Sequence, residues 1–321
     1  MSAKHDHHEH HSNDHEHHHG HAHHHDHSNV DTTSRAFAVG IALNLTFVII
    51  EIGFGIYADS LSLLADAGHN FSDVIGLIAA WGAMVLARRL PSPRFTYGLR
   101  STTILAALAN AMLLLIAVGG ISWEAIRRFT EPMAVNEPIM VWVALVGVVV
   151  NVATALMLMK GHKDDLNLRG AFLHMVADAA VSVGVALAGL GMMFTGWLWL
   201  DPAISLLIAA VIFIGTWGLF KQSLKLALHA VPDAIDPARI ETYLRSLPQV
   251  SEVHDLHIWG MSTTENALTV HLVTPDGHPG DAFLDEIAEE LEHHFQISHA
   301  TFQIELGDHE IMCRLAPAEV V

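Results

Sequence analysis

Charge is scarce in this chain. Asp, Glu, Lys and Arg make up 16% of its 321 residues, against about 25% in an ordinary soluble domain. That deficit excludes a purely soluble protein and points to a membrane. Basic residues are scarcer still, with 16 Lys and Arg against 34 Asp and Glu and a formal net charge of −18. A nucleic-acid partner is excluded on that balance, because it would require a basic face. Cysteine is nearly missing. The single Cys313 allows no internal disulfide and rules out a thiolate-rich metal site. The first 27 residues lack any apolar stretch, so they are not expected to act as a signal peptide.

What the chain has in excess is histidine, 26 residues, of which fourteen fall between His5 and His27. This His/Asp/Glu segment cannot bury a core and is expected to be disordered. Neutral imidazole is a good metal ligand, so the segment reads as a metal buffer. The plain alternative is a dispensable tail or a tag, against which the interleaved Asp and Glu argue.

From Arg35 the composition flips. Six apolar stretches follow, at roughly 35–57, 61–86, 101–126, 138–159, 171–194 and 203–220, each near the ~20 residues that span a bilayer as a helix. Six crossings place both termini on one side. Arg88, Arg89, Arg94, Arg100, Lys160, Lys163, Arg169, Lys221 and Lys225 fall on that side, with Arg35 beside the first helix, and only Arg127 and Arg128 fall opposite. The excess of positive charge predicts cytoplasmic termini, and the expected location is the inner (plasma) membrane.

After Lys225 the chain turns soluble in character, with 17 acidic and 3 basic residues from Pro232 to Val321. The pattern predicts a helix at Pro237–Leu247, strands at Val253–Trp259 and Leu268–Val273, a helix at Asp281–Phe295 and a strand at Thr301–Leu306. This order suggests an α+β sandwich with both helices on one face of the sheet. The expected division is a tail at 1–34, a transmembrane domain at 35–226, a cytosolic domain at 227–310 and a C-terminal tail at 311–321.

Two membrane stretches carry the chemistry. His69 and Asp73 lie four apart in the second, and His174 and Asp178 share that spacing in the fifth, so each pair occupies one helix face. An Asp at the centre of a membrane helix costs at least ~2.5 kcal/mol. One such pair could simply hydrogen-bond and lock two helices. Two matched pairs without a nearby Lys or Arg favour a divalent cation held by two imidazoles and two carboxylates, a donor set that Zn²⁺ accepts in four-coordination. Asn44, Glu51, Asp66, Asn110 and Asn151 are further intramembrane polar groups. Asn44, Glu51, Asn110 and Asn151 are candidates either for orienting the ligands or for ordinary interhelical hydrogen bonds or helix-end placement, and Asp66 either lines the metal pathway or lies near the aqueous end.

The run Ser60-Leu61-Ser62-Leu63-Leu64-Ala65-Asp66-Ala67-Gly68-His69 is one of several connected signals. The others are Tyr97-Gly98-Leu99-Arg100, the paired HxxxD, Asp201-Pro202 and Val253-His254-Asp255-Leu256-His257-Ile258-Trp259. On these the chain resembles the cation diffusion facilitator family of divalent-metal transporters, the bacterial zinc exporters above all, from about Arg35 to Leu306. The resemblance implies six transmembrane helices and a cytosolic ferredoxin-like αββαβ domain. It also implies a homodimer and metal/proton antiport through His69, Asp73, His174 and Asp178, with Zn²⁺ as the transported and regulatory ion. Imidazole in place of a carboxylate softens that site toward Zn²⁺, Co²⁺ or Ni²⁺ and away from Mn²⁺ and Mg²⁺.

In the soluble domain the resemblance implies His254, His271 and Glu305 as metal ligands. Strand alternation agrees for His271 and Glu305. His254 shares parity with Leu256 and Ile258, which leaves His257 as its competitor. Solvated surface histidines are the plain alternative. The loop from Ala87 to Tyr97 has no His or Asp, so a further metal site seen there in some relatives is expected to be absent. The Glu that often follows the family's Arg is replaced by Ser101, Thr102 and Thr103, so its salt bridge is expected to be lost. Competing classes are a metal sensor or storage protein without transport, an exporter of Co²⁺, Ni²⁺, Cd²⁺ or Fe²⁺, and, weakest, an intramembrane zinc hydrolase, which lacks an HExxH. No enzymatic activity and no organic cofactor are expected.

Overall fold

The computed structural model describes residues 45–158, 166–307 and 313–316. The His-rich segment, Arg35, Asn44, Lys160 and Lys163 lie outside the described residues. Six apolar helices come first: α1 (Leu45–Tyr57), α2 (Leu61–Ala87), α3 (Thr102–Thr130), α4 (Glu137–Leu158), α5 (Leu166–Thr195) and α6 (Leu200–Ala227). The last five are long and apolar enough to cross a membrane, and the described part of α1 is shorter. The C-terminal domain adds α7 (Pro237–Arg245), β1 (Glu252–Gly260), β2 (Asn266–Val273), α8 (Asp281–Phe295) and β3 (His299–Glu305). The architecture is the expected bundle of six apolar helices, five of them of membrane-spanning length over the described residues, followed by an αββαβ domain.

In the bundle, α4 packs along α5 and α3 along α6, while α2 touches α3, α5 and α6. Phe47, Leu63, Met140, Val185 and Met192 form its buried centre. Small residues bring the backbones close, as is usual where lipid gives no hydrophobic drive between helices. A Cβ on Gly189 of α5 would stand 2.6 Å from Val141 of α4, and one on Gly147 of α4 would stand 2.8 Å from Phe47. The outer surface is apolar, with Trp81, Trp123 and Trp142 exposed, as a lipid-facing belt requires.

A buried carboxylate fixes the start of α2. Asp201, at the start of α6, is fully buried. It accepts hydrogen bonds from Ser60 Oγ at 2.8 Å, Leu61 N at 2.9 Å, Ser62 N at 3.1 Å and Ser62 Oγ at 2.6 Å. A carboxylate facing free N–H groups of a helix N-terminus is favoured by their partial positive charge. Arg128 of α3 stands 3.8 Å from the same carboxylate and donates to the Asp59 carbonyl. Asp59 itself takes a positive φ of 52° in the α1–α2 turn. Three helices meet on one anion. The expected sixth span, 203–220, was too short, because Pro202 sits within the first turn of α6, where its missing N–H costs nothing.

The sheet has the order β1-β2-β3, antiparallel between β1 and β2 and parallel between β2 and β3. Asp236 caps α7 by accepting from Ala238 N at 3.0 Å, with Pro237 next. Ile240 and Leu244 of α7, Ile287 and Leu291 of α8, and Leu268, Val270 and Leu272 of β2 share one core. Each is almost fully buried and contributes about 1.5–3 kcal/mol. Both helices therefore cover one sheet face.

The two domains touch directly. Arg100, before α3, pairs with Glu265 of the β1–β2 turn at 3.0 Å. Thr263 N donates to Thr103 Oγ1 at 3.1 Å, and Ser101 Oγ donates to the Met261 carbonyl at 3.3 Å. Arg100 thus has a partner from another domain, although its own segment lacks the Glu. Arg100→Glu is expected to loosen this joint by less than about 1 kcal/mol, since the pair is partly exposed. The double exchange Arg100→Glu with Glu265→Arg is expected to restore it. Amide hydrogen exchange across 261–265 checks both, and equal protection in all three proteins would show that the pair does not hold the joint.

Candidate metal centres

The first centre lies between α2 and α5. The four-residue spacing stacks His69 over Asp73 and His174 over Asp178, and the packing of α2 on α5 turns the pairs toward each other. His174 Nε2 lies 3.0 Å from Asp73 Oδ2 and 3.5 Å from Asp178 Oδ2, and His69 Nε2 lies 3.6 Å from Asp73 Oδ2. The two imidazoles meet edge to face at 5.7 Å. One donor atom from each of His69, His174 and Asp178 falls within 4.8 Å of the others. Asp178 is the buried member, with its side chain 4% exposed. Its Oδ2 and the Nδ1 of His69 are buried without a hydrogen bond. Buried donors and acceptors left open in a converging cluster are what a cation would satisfy.

Two nearby carboxylates were only weak signals in the sequence. Glu51 of α1 is fully buried, and neither of its oxygens accepts a hydrogen bond. Asp66 of α2 is buried and accepts from Ser182 Oγ at 3.0 Å, one turn beyond Asp178 on α5, and from Asn70 Nδ2 at 3.4 Å. Asn151 of α4 is buried with its amide unpaired. These groups line the bundle interior rather than its lipid face. Asn110 of α3 instead accepts from Ser72 Oγ at 3.5 Å, and Gly76 leaves it room.

The second centre stands on the sheet face away from α7 and α8. His254 pairs directly with His271 across β1 and β2, and Val273 pairs with Glu305 across β2 and β3. Parity had counted against His254. The register shifts between His254 and His257, and Asp255 there takes a φ of 50°. A bulge moves every later side chain to the other face. Val253 before it and Ile258 after it both enter the core, while His254 and His257 share the far face. They differ in burial: the His254 side chain is 8% exposed, whereas His257 is largely open and bonds Asp255 at 2.8 Å.

Glu305 Oε1 lies 2.9 Å from His271 Nδ1, and Glu305 Oε2 lies 3.3 Å from His254 Nε2. His271 Nε2 faces Asp255 Oδ2 at 3.2 Å. Burial pushes the Glu305 carboxyl up. Hydrogen bonds from Cys313 and Gln303 and the nearby His254 and His271 outweigh it and hold the group below the usual carboxylate range. In the sequence Cys313 stands alone and marks no site. The fold brings it into this cluster, and its one advance signal was its position eight residues after Glu305.

Comparison with known proteins covers both domains. A family model described as the cation efflux transmembrane domain matches residues 37–226, and one described as the cation efflux protein cytoplasmic domain matches 232–306. The metal cation efflux system protein CzcD of Cupriavidus metallidurans is 37% identical over 263 residues, covering 82% of this chain and 83% of that protein. The zinc transporter ZitB of Escherichia coli is 37% identical over 261 residues, covering 81% and 83%. A cadmium, cobalt and zinc/H(+)-K(+) antiporter of Bacillus subtilis is 35% identical over 277 residues, covering 84% and 89%.

Proposed function

Because the chain belongs to the cation diffusion facilitator family of metal transporters, we propose that it exports Zn²⁺ from the cytoplasm across the plasma membrane in exchange for protons. It is a multi-pass membrane protein that transports metal cations as a homodimer, and it is not an enzyme. Zn²⁺ as the cargo, the proton as the exchanged ion and the cytoplasmic termini are our reading. So is the assignment of His69, Asp73, His174 and Asp178 as the transport site.

The convergence of His69, His174 and Asp178 from α2 and α5, with Asp73 beside both imidazoles, supports this reading. Two nitrogen and two oxygen donors suit Zn²⁺ in tetrahedral coordination. The names of the relatives that specify zinc, and of the one that specifies H⁺, point the same way. The basic loops support cytoplasmic termini.

The mechanism follows from linkage. With the bundle open to the cytoplasm, neutral His69 and His174 and ionised Asp73 and Asp178 bind the ion. Binding cancels the mutual repulsion of the carboxylates and biases the helices toward closure. On the far side protons compete for the same donors, metal leaves and a proton takes its place. Exporting two charges against an inside-negative 100 mV costs about 4.6 kcal/mol, and one returning proton recovers about 2.3 of it. His254, His271 and Glu305 serve as a regulatory metal site in the cytosolic domain.

The test is paired Zn²⁺ and proton flux in proteoliposomes. Zn²⁺ and protons are expected to move in opposite directions. Apparent Zn²⁺ affinity is expected to fall as pH drops, because protons compete with the metal for the same donors. Zn²⁺ flux indifferent to an imposed proton gradient rejects the antiport.

A further inference from the structure

We propose that Cys313 is a fourth ligand of the cytosolic metal site, so that the ion held by His254, His271 and Glu305 also fastens the C-terminal segment to the sheet. The proposal rests on the reading of that cluster as a metal site. It adds a thiolate and a structural consequence that the three-ligand reading lacks.

The geometry is the first argument. Donor atoms of His254, His271, Glu305 and Cys313 all lie within 4.8 Å of one another. Zinc–ligand bonds of about 2.0–2.3 Å in a tetrahedron imply ligand–ligand edges of roughly 3.3–3.7 Å. Cys313 Sγ lies 3.5 Å from His271 Nδ1, His254 Nε2 lies 3.3 Å from Glu305 Oε2, and His271 Nδ1 lies 2.9 Å from Glu305 Oε1. The Cys313–His271 and His254–Glu305 Oε2 distances already have the length of a tetrahedral edge, while His271 contacts the other carboxylate oxygen, Oε1.

An independent observation points to a ligand. The His254 side chain is more than nine-tenths buried, yet neither of its ring nitrogens completes a hydrogen bond. It is aimed at the space that Glu305, His271 and Cys313 surround. A buried imidazole that completes no hydrogen bond is costly, and a metal ion among these donors would satisfy it.

The surroundings orient the donors. His271 turns Nε2 to Asp255 at 3.2 Å, which leaves Nδ1 for the ion. This carboxylate–histidine arrangement is the usual support of a metal-bound imidazole. Gln303 Nε2 donates to Glu305 Oε1 at 2.9 Å and steadies that carboxylate. The bulge at Asp255 thus has two consequences: it turns His254 inward and places a carboxylate behind His271. A thiolate among imidazole and carboxylate donors biases the site toward Zn²⁺, Co²⁺ and Cd²⁺ over Mn²⁺ and Mg²⁺. Binding then releases the thiol proton.

The chain has one cysteine, which makes the test clean. Full-length protein in detergent is loaded with Co²⁺, and absorption is recorded. Thiolate-to-cobalt charge transfer can arise only from Cys313, because the chain has no other thiol. The expected result is a charge-transfer band in the native protein that vanishes in Cys313→Ser, in His271→Ala and in Glu305→Gln. Cys313→Ser is also expected to retain His271-dependent cobalt binding, weakened at least about tenfold. His271-dependent cobalt absorption without any charge-transfer band would overturn the role of Cys313 and leave the three-ligand site standing. A band that survives both His271→Ala and Glu305→Gln would place the thiolate in some other site and overturn the proposal too. Absence of any His271-dependent cobalt binding would remove the underlying site itself, a failure separable from the other two.

Discussion

Replacing Asp178 with Ala is expected to lower Zn²⁺ flux at least about 100-fold, beyond the 10–100-fold typical for loss of a group that merely supports a metal ligand. Asp178 is the most buried of the four residues proposed as the transport site, and its Oδ2 has no hydrogen bond to protein. Its removal leaves His69, His174 and Asp73, of which only Asp73 is anionic. Three donors with a single negative charge compensate poorly for the hydration shell that a divalent ion gives up. Asp178→Asn keeps the volume and loses the charge, so it is expected to be equally inactive. His257→Ala, on the exposed side of the cytosolic sheet, is expected to leave flux within about twofold of native, as for a surface change of under 0.5 kcal/mol. Uptake of radiolabelled zinc into proteoliposomes measures all three. Native-like flux in Asp178→Asn would remove this residue from the transport site.

The other large effect is expected at Asp201. Breaking a buried, hydrogen-bonded charge cluster by deleting one partner costs about 3–5 kcal/mol. Asp201→Ala would strand Ser60, Ser62 and the first amides of α2, and would leave Arg128 buried opposite no anion. For a domain of about 200 residues that loss corresponds to a fall of at least about 6 °C in the unfolding midpoint. Asp201→Asn retains one acceptor oxygen and should fall between the two. Thermal unfolding in detergent reads the order. A midpoint unchanged in Asp201→Ala would mean that α2 is held by its apolar packing alone. Loss of stability here differs from loss of Asp178, which should abolish flux and leave the midpoint nearly intact.

The regular elements were legible because their signals are local. Asp236 before Pro237 marks a helix start, and α8 occupies the expected Asp281–Phe295. The alternation Leu268, Val270, Leu272 marks a half-buried strand. The paired HxxxD could be read because helical spacing alone puts each pair on one face. What escaped depends on contacts between distant segments. The bulge at Asp255 has no hydrophobic signature, since the apolar pattern Val253, Leu256, Ile258 reads equally well as noise. Without it, His254 fell on the wrong face. The partner of Arg100 is Glu265, 165 positions along the numbering, a pairing that no window of sequence reveals. Cys313 carried the same difficulty. It lies beyond the last strand, and only the folded sheet brings it to His271.

The contacts of Arg100, Ser101 and Thr103 with the β1–β2 turn have a mechanical consequence. The cytosolic domain follows α6 through the segment 228–236 and is also gripped at the foot of α3. A body mounted at two points cannot swivel freely; it can only rock about the line that joins them. β1 and β2 form that turn, and they carry His254 and His271 as well. The strands that hold these histidines are thus joined to the foot of α3 through a single short turn.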